Sequence, residues 1–329
     1  MPNNRIFYAV QALGIKPGDT GSITWMKGVQ SVGITTNFNL EQVFELGQLA
    51  IYENIENVAE IEVTVEKVLD GQDLVYLTAC SSGSTDIVAA SNQTAGLYLT
   101  IYSDSKTSAS GTGAVDGPVG LVYCSGMRPS NISYTIPVEG NATESVTFVG
   151  NDKIWQTGTA LTGFASADYP PINAATLHSP ANTVFRRQHF VNHDGTTAII
   201  PAEVRAAVGS GKIQNVSLSV DLGRENIFEL GSFRPYTKFT SFPVAVTCDF
   251  EVVALSGDYK SASGDANNLT NQEIKIKLAN GTKKIEWDLG GKNKLTSINY
   301  TGGDTGGGNA SITYSYQGFN AFKVTTGNV

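Results

Sequence analysis

The chain has few of the residues on which most protein chemistry depends. Among 329 residues there are three histidines, three cysteines and three tryptophans. Cys80, Cys124 and Cys248 form no Cys-x-x-Cys pair and are too few for a disulfide framework, which suits a reducing compartment. No apolar run approaches the length of a membrane span. The opening Met1-Pro2-Asn3-Asn4-Arg5 does not read as a signal peptide. Basic residues are scarce as well. The net charge is −8, and residues 1–151 carry 6 Lys and Arg against 15 Asp and Glu. Without a basic stripe, the chain is a poor candidate for gripping nucleic acid by its phosphates.

Catalytic constellations are missing too. His189 and His193, with Asp194 beside the latter, share a strand face at i,i+4, but no further nitrogen or sulfur ligand has a defined spacing. A strand-loop junction with two exposed histidines explains them more simply. Gly111-Thr112-Gly113 lacks the Gly-Lys-Ser/Thr ending of a phosphate loop, and no Gly-x-Ser-x-Gly elbow occurs. Asp258 and Asp265 do not follow the calcium-loop pattern. Glu60, Glu62 and Glu66 lie in a row on one strand face, whereas paired catalytic carboxylates face each other across a cleft. No catalytic residue, metal site or cofactor is expected, and the chain does not read as an enzyme.

Repetition is what the sequence does have. Val43-Phe44-Glu45-Leu46-Gly47, with Tyr52 five residues past the Gly, recurs as Ile227-Phe228-Glu229-Leu230-Gly231 with Tyr236. Each copy then enters an alternating strand, Ile61 to Glu66 in one and Val246 to Glu251 in the other. Upstream, 28–34 matches 212–218. Downstream, Ile132-Ser133-Tyr134 matches Ile298-Asn299-Tyr300, and Ser145 to Phe148 matches Ser311 to Tyr314. An ordered self-match of this length implies duplicated domains. The expected division is a first β domain at 1–151, an extended linker at 152–183 and a second β domain at 184–329.

Short alternating runs between turn residues place the chain in a mainly β class. Ile61, Val63 and Val65 point to a core, and Glu60, Glu62, Thr64 and Glu66 point away from it. Strands are expected at 5–13, 74–79, 97–102, 119–123, 131–137 and 145–149. In the second half they are expected at 274–278 and 284–288 around Asn280-Gly281, and at 295–300 and 310–316. Pro201 to Val208, with Pro in its first turn and Gly209 after it, is the best short helix. Residues 37–47 read equally as a short helix capped by Asn39 or as extended chain. The loop from Ser105 to Pro118 is long and rich in small residues.

The run Phe44-Glu45-Leu46-Gly47-x-Leu49-x-Ile51-Tyr52-Glu53-Asn54, with the strand to Leu69-Asp70-Gly71, resembles virion structural proteins of tailed bacteriophages. The tandem duplication with a long hairpin is similar to the tail tube proteins of long-tailed phages. That resemblance implies two tandem tube-type β-sandwich domains, each with at most one short helix and a projecting β-hairpin. It implies a subunit that forms stacked homotrimeric, pseudo-hexameric rings around the channel for the genomic DNA, which passes without specific binding. Partners would be the chain itself and the tape measure, baseplate and terminator proteins of a tail, with no membrane. Location would be the virion, after assembly in the host cytoplasm. Glu60, Glu62, Glu66, Thr247, Asp249 and Glu251 would then line the lumen, or face outer solvent. Lys106, Thr107, Gly111, Gly113, Asp116 and Pro118 would form a hairpin tip reaching the next subunit or ring. A trimeric baseplate hub or distal tail protein is the alternative within that class, and a carbohydrate- or surface-binding β-module is the alternative outside it.

Overall fold

A computed structural model describes residues 5–18, 22–80, 87, 92–106, 109, 117–157, 184–192, 198–208, 212–255, 269–303 and 308–328. The strands of the first half are β1 (Gln11–Pro17), β2 (Thr24–Trp25), β3 (Val29–Asn37), β4 (Leu40–Phe44), β5 (Ile51–Glu56), β6 (Glu60–Val68), β7 (Ala95–Ile101), β8 (Gly120–Pro137), β9 (Thr143–Gly150) and β10 (Asp152–Thr157), with helix α1 (Val75–Cys80) between β6 and β7. The second half holds α2 (Ala202–Val208), β11 (Ile213–Asp221), β12 (Arg224–Ile227), β13 (Thr237–Thr240), β14 (Ala245–Val253), β15 (Lys275–Ala279), β16 (Lys283–Asp288), β17 (Lys294–Thr301), β18 (Ser311–Phe319) and β19 (Lys323–Asn328).

Eight of these strands form one continuous antiparallel sheet in the order β3-β6-β9-β8-β11-β14-β18-β17. The first four belong to one repeat and the last four to the other, in the same spatial order. Register irregularities recur at corresponding places in the two halves. β8 carries a bulge between Pro129 and Asn131, and β17 carries one between Leu295 and Ser297. β3 is irregular between Val29 and Ser31, and β11 between Ile213 and Asn215. Pairing Val146 with Val65, and Tyr314 with Phe250, sets Ser145 against Thr313 rather than Ser311. The sequence match was therefore two residues out at the last strand. A shift of two keeps every side chain on the same face, which is why the pattern concealed it.

β8 is long enough to serve two layers. Its first part pairs with β7 and β10 in an outer sheet that continues to β1 and β2, and its second part pairs with β9 and β11. The second half has the shorter outer sheet β15-β16-β19. A single buried cluster fills the space between the layers and draws on both repeats, including Val65, Phe148, Tyr134, Leu218, Phe250, Tyr314 and Trp287. Tyr134 packs edge-on against Trp287 with ring centroids 5.1 Å apart. Phe185, at the start of the second half, exchanges backbone hydrogen bonds with Leu69 and Ala142 of the first. The two copies thus share a core.

Several expectations need correction. Asp152–Thr157, placed in the extended linker, forms β10 against β8, while the rest of 158–183 lies outside the described residues. Residues 75–80 are helix α1 and not strand, because its first amides are held by a carboxylate from β9. The first strand begins at Gln11, behind a single 3-10 turn at Tyr8–Val10. Residues 40–44 are extended, with Asn39 at φ +46° and its amide accepted by Asn37 Oδ1 in the turn that precedes them. The expected helix at 202–208 and the β15–β16 hairpin turning at Asn280-Gly281 are present.

Gly150 and Gly318 are equivalent, and a neighbour fills the Cβ space of each. Met127 Sδ would lie 2.2 Å from a Cβ at Gly150, and Asn293 Oδ1 2.3 Å from one at Gly318. Asn293 cannot yield, since its Nδ2 donates to the carbonyls of Gln272, Leu289 and Gly290. Met127 is a flexible thioether. Gly318→Ala is expected to destabilise the fold by about 3 kcal/mol and Gly150→Ala by about 1 kcal/mol, read from denaturant midpoints.

Candidate assembly and channel surfaces

One face of the eight-stranded sheet covers the core and the other is open. Alternation fixes which residues face out. From one edge to the other, the open face presents Ser31, Gly33 and Thr35; Glu60, Glu62, Thr64 and Glu66; Ser145 and Thr147; Asn131, Ser133 and Thr135; Ser217 and Ser219; Thr247, Asp249 and Glu251; Thr313 and Ser315; and Ser297, Asn299 and Thr301. Most are short polar side chains and carboxylates, with Val149 beside Glu62 and with Ala245 and Val253 at the two ends of β14. Among the residues of these strands, Lys and Arg reach this face only at its end, as Arg128 and Lys294. Ser31 donates to Glu66 Oε2 at 2.8 Å, and the hydroxyls of Thr64 and Thr147 lie 3.2 Å apart.

All six acidic and polar residues singled out from the sequence therefore fall on one surface that both repeats build. Glu60 stands at its end, where Lys238 Nζ lies 3.5 Å away. Glu62 and Glu66 are exposed, and Thr247, Asp249 and Glu251 are partly covered. Of the proposed hairpin tip, Thr107, Gly111, Gly113 and Asp116 lie outside the described residues. Lys106 stacks over the Tyr102 ring at 5.6 Å, Ala109 is buried beside Val10 and Tyr102, and Pro118 precedes β8.

Among the described residues, the sheet ends in two unpaired edges: β3 pairs only with β6, and β17 only with β18. Exposure follows from this: Tyr134 of β8 is 1% exposed, but Tyr300, its equivalent on β17, is 58% exposed. The β8–β11 joint shows what such an edge looks like when paired. Seven residue pairs run from Asn131↔Asp221 to Pro137↔Asn215. Leu222 N–H donates to the Ser130 carbonyl and Val138 N–H to the Gln214 carbonyl, so even-numbered residues aim their peptide groups across this joint.

The repeated Phe-Glu-Leu-Gly stretch takes a form that the sequence did not disclose. β4 and β5 make a two-stranded ribbon, as do β12 and β13, and both leave the sheet at the same end. Their turns expose Leu46, Leu49 and Leu230 fully and Phe44, Phe228 and Phe233 by more than half. The self-match was the signal for them, because apolar residues repeated in a turn have no core to serve. Base contacts hold the second ribbon to the first repeat: Arg224 Nε donates to the Pro129 carbonyl at 2.7 Å, and Lys238 reaches Glu60. Burial lowers the Arg224 pKa to about 10, with Arg128 nearby adding to the effect.

Among the described residues no three His, Cys, Asp or Glu side chains gather to hold a metal. His189 Nδ1 accepts the Arg186 amide in a local turn, and His193 and Asp194 are outside the described residues. The three thiols are buried, and burial pushes Cys80 up to about 12 and Cys124 to about 11, so both are held protonated. No helix of the described residues is long and apolar enough to cross a membrane.

Residues 23–94, which contain the first ribbon and the strands on either side of it, match the family described as the Phi812 tail tube protein. Among solved structures, the chain is similar to one from the cryo-EM structure of the anti-feeding prophage (AFP) baseplate, 6-fold symmetrised. Identity is 12% and the TM-score 0.34, over 48% of this chain and 99% of that one. Curated proteins give no match. The family match, which spans the ribbon and neighbouring strands of the first half, supports a structural role in a phage tail. Over those residues the chain is similar to phage tail tube proteins.

Proposed function

We propose that the chain is the building block of a tail tube, and that three copies close a pseudo-hexameric ring by pairing β17 of one with β3 of the next. The observation that carries this reading is the β8–β11 joint, a finished copy of that seam inside one chain. Transferring its register by the repeat equivalences pairs Ser297 with Asn37, Ile298 with Thr36, Asn299 with Thr35, Tyr300 with Ile34 and Thr301 with Gly33. A closed ring leaves no strand edge open to aggregation. With eight strands per chain, it has twenty-four, and at about 4.8 Å per strand an untilted barrel is roughly 37 Å across, wider when tilted. The open face becomes the bore, and its carboxylates repel the phosphate backbone so that DNA slides. Domains at 1–151 and 184–329 are then two tube units in one chain, and other tail proteins meet the ring stack at its ends.

Microscopy of the purified chain, viewed down the tube axis, tests this reading. Stacked rings of three chains are expected. Single unstacked rings would favour a baseplate hub, and monomers that retain a glycan would favour a binding module. The bore assignment has its own test. Replacing Glu62, Glu66, Asp249 and Glu251 by Lys is expected to leave ring closure intact but make the tubes retain short DNA at low salt. Release should follow as salt rises, with a steep log-log slope. Tubes of the variant that still exclude DNA would place this face elsewhere.

A further inference from the structure

Each outer layer holds a strand pair with one tryptophan, and the two tryptophans are covered very differently. β10 pairs with β8 as β19 pairs with β16. An asparagine leads into each of β10 and β19. Asn151 Nδ2 donates to the Ala59 carbonyl at 2.8 Å, and Asn320 Oδ1 accepts the Val244 amide at 2.8 Å. Ala59 and Val244 stand just before β6 and β14, so β10 and β19 hold the same place in the two repeats. In the second repeat Trp287 of β16 lies opposite Val324 of β19, and in the first Val122 of β8 lies opposite Trp155 of β10. The same large and small pair recurs with its strands exchanged. Residues directly opposite each other share a face, and Val122 belongs to the core, so Trp155 points the way Trp287 does. Yet Trp287 is fully buried and Trp155 is 55% exposed.

The cover on Trp287 comes from across the β8–β11 joint. Tyr134 packs against Trp287 and also against Phe322, with ring centroids 6.3 Å apart in the second case. Phe322 stands two residues before Val324, and Lys153 stands two before Trp155. Tyr134 corresponds to Tyr300, which lies exposed on the β17 edge. Lys153 reaches the β3 edge, where its Nζ touches the Thr36 hydroxyl. In the proposed seam Tyr300 of one copy lies opposite Ile34 of the next, one core-side position along from Thr36. The exposed tyrosine and the exposed tryptophan are therefore brought to the same place by the register alone.

We infer that Tyr300 of one copy packs on Trp155 of the next, beneath the Lys153 side chain, and so closes the outer layer of the ring as Tyr134 and Trp287 close it within the chain. This contact rests on the ring reading above and adds a side-chain component to a seam built there from backbone pairing. The two versions differ in chemistry. The Tyr134 hydroxyl donates to buried Glu144, whereas the residue opposite Tyr300 is Ile312. Where the joint has the Phe322 ring, the seam has the Lys153 ammonium, which is attracted to the face of a tyrosine. A lysine on the core side of an exposed margin also discourages unspecific strand pairing before assembly. The joint within the chain is thus permanent and dry, and the seam between chains carries polar groups that stay hydrated until the correct partner arrives.

Mass photometry over a concentration series reads ring closure, and near-ultraviolet circular dichroism reads the fold. Tyr300→Ala and Trp155→Ala each truncate an exposed side chain, and each is expected to raise the concentration for half closure about tenfold or more. The double variant should be little worse than either single one, since both remove the same contact. Trp155→Phe should recover most of the loss, and Ile154→Ala, on the opposite face of β10, should close like the wild type. A second measurement does not depend on affinity. Chains with Tyr300→Cys are mixed with chains with Trp155→Cys and treated with a short bis-maleimide. Linked pairs are expected from the mixture and not from either population alone; the native thiols are buried and do not compete. If Trp155→Ala loses its fold, Tyr300→Ala and the cross-link decide. Closure of both alanine variants at wild-type concentration would overturn the contact and leave the ring reading standing. Penalties that multiply in the double variant, or closed rings that give no linked pairs, would overturn it as well. If the unmodified chain forms no rings at all, the ring reading itself fails and this contact falls with it.

Discussion

Thr36→Pro is expected to give a folded chain that no longer closes rings. The β8–β11 joint shows which peptide groups a seam uses, since even-numbered residues face across it. By the repeat equivalence, residues 32, 34 and 36 of β3 aim their amides away from β6 at an open edge. Proline is tolerated on an edge strand where the missing N–H faced solvent, so the isolated chain loses little beyond the exposed contact of Lys153 Nζ with the Thr36 hydroxyl. In the assembly, the same substitution removes a ladder donor and sets a ring against the partner strand. This costs about 3 kcal/mol at each seam, a loss on the order of a hundredfold in seam association. Thr35→Ala serves as the control, since it alters only the open face and should close normally. Sedimentation velocity counts the chains, and near-ultraviolet circular dichroism reports packing. Closed rings from Thr36→Pro at wild-type concentration would show that this edge is not the seam.

The route from sequence to this surface was uneven, and the reasons are physical. Strand β6 was readable because period-two alternation is a local signal, and its equivalence to β14 was readable because duplication preserves order. The six acidic and polar positions were placed on strands correctly, yet nothing local says that two strands far apart in sequence lie in one sheet. That fact is carried by Val216↔Ile136 and its neighbours, pairs across the repeat boundary. Helix α1 reads as strand from the sequence because Val75 and Tyr76 have β-type side chains. The ribbons were visible as a repeat but not as surface, since Leu46 and Leu230 look like core residues until the fold leaves them uncovered. At 152–157 the absence of a counterpart in the self-match suggested a linker, although Ile154 and Trp155 have strand propensity and pair with β8.

The residue that overrode local propensity at α1 also gives the largest expected stability effect. Glu144 sits on the core side of β9, fully buried. It accepts the Val75 amide at 2.8 Å, the Tyr76 amide at 3.2 Å and the Tyr134 hydroxyl at 2.9 Å. Its equivalent in the second repeat is Ile312, and there the helix α2 comes before β11 instead. Glu144→Ala strands three buried donors, so a loss of about 4 kcal/mol is expected, measured by urea unfolding. Glu144→Gln keeps an acceptor for the helix amides and should cost about 1 kcal/mol. The two variants also predict a sign. Burial raises the Glu144 pKa above its ordinary 4.5, against the lowering effects of the two amides, Tyr134 and Lys67. Between that ordinary value and the raised one, the folded chain holds a proton that the unfolded chain has released. Stability contributed by Glu144 is therefore full below the ordinary value, declines as pH rises across the window and levels off above it. Relative to Glu144→Gln, the wild type should lose ground as pH climbs from 4 to 8. A gain with rising pH would mean that the hydrogen bonds and the Lys67 charge outweigh desolvation, and that α1 is held by a carboxylate ionised more readily in the fold than in water.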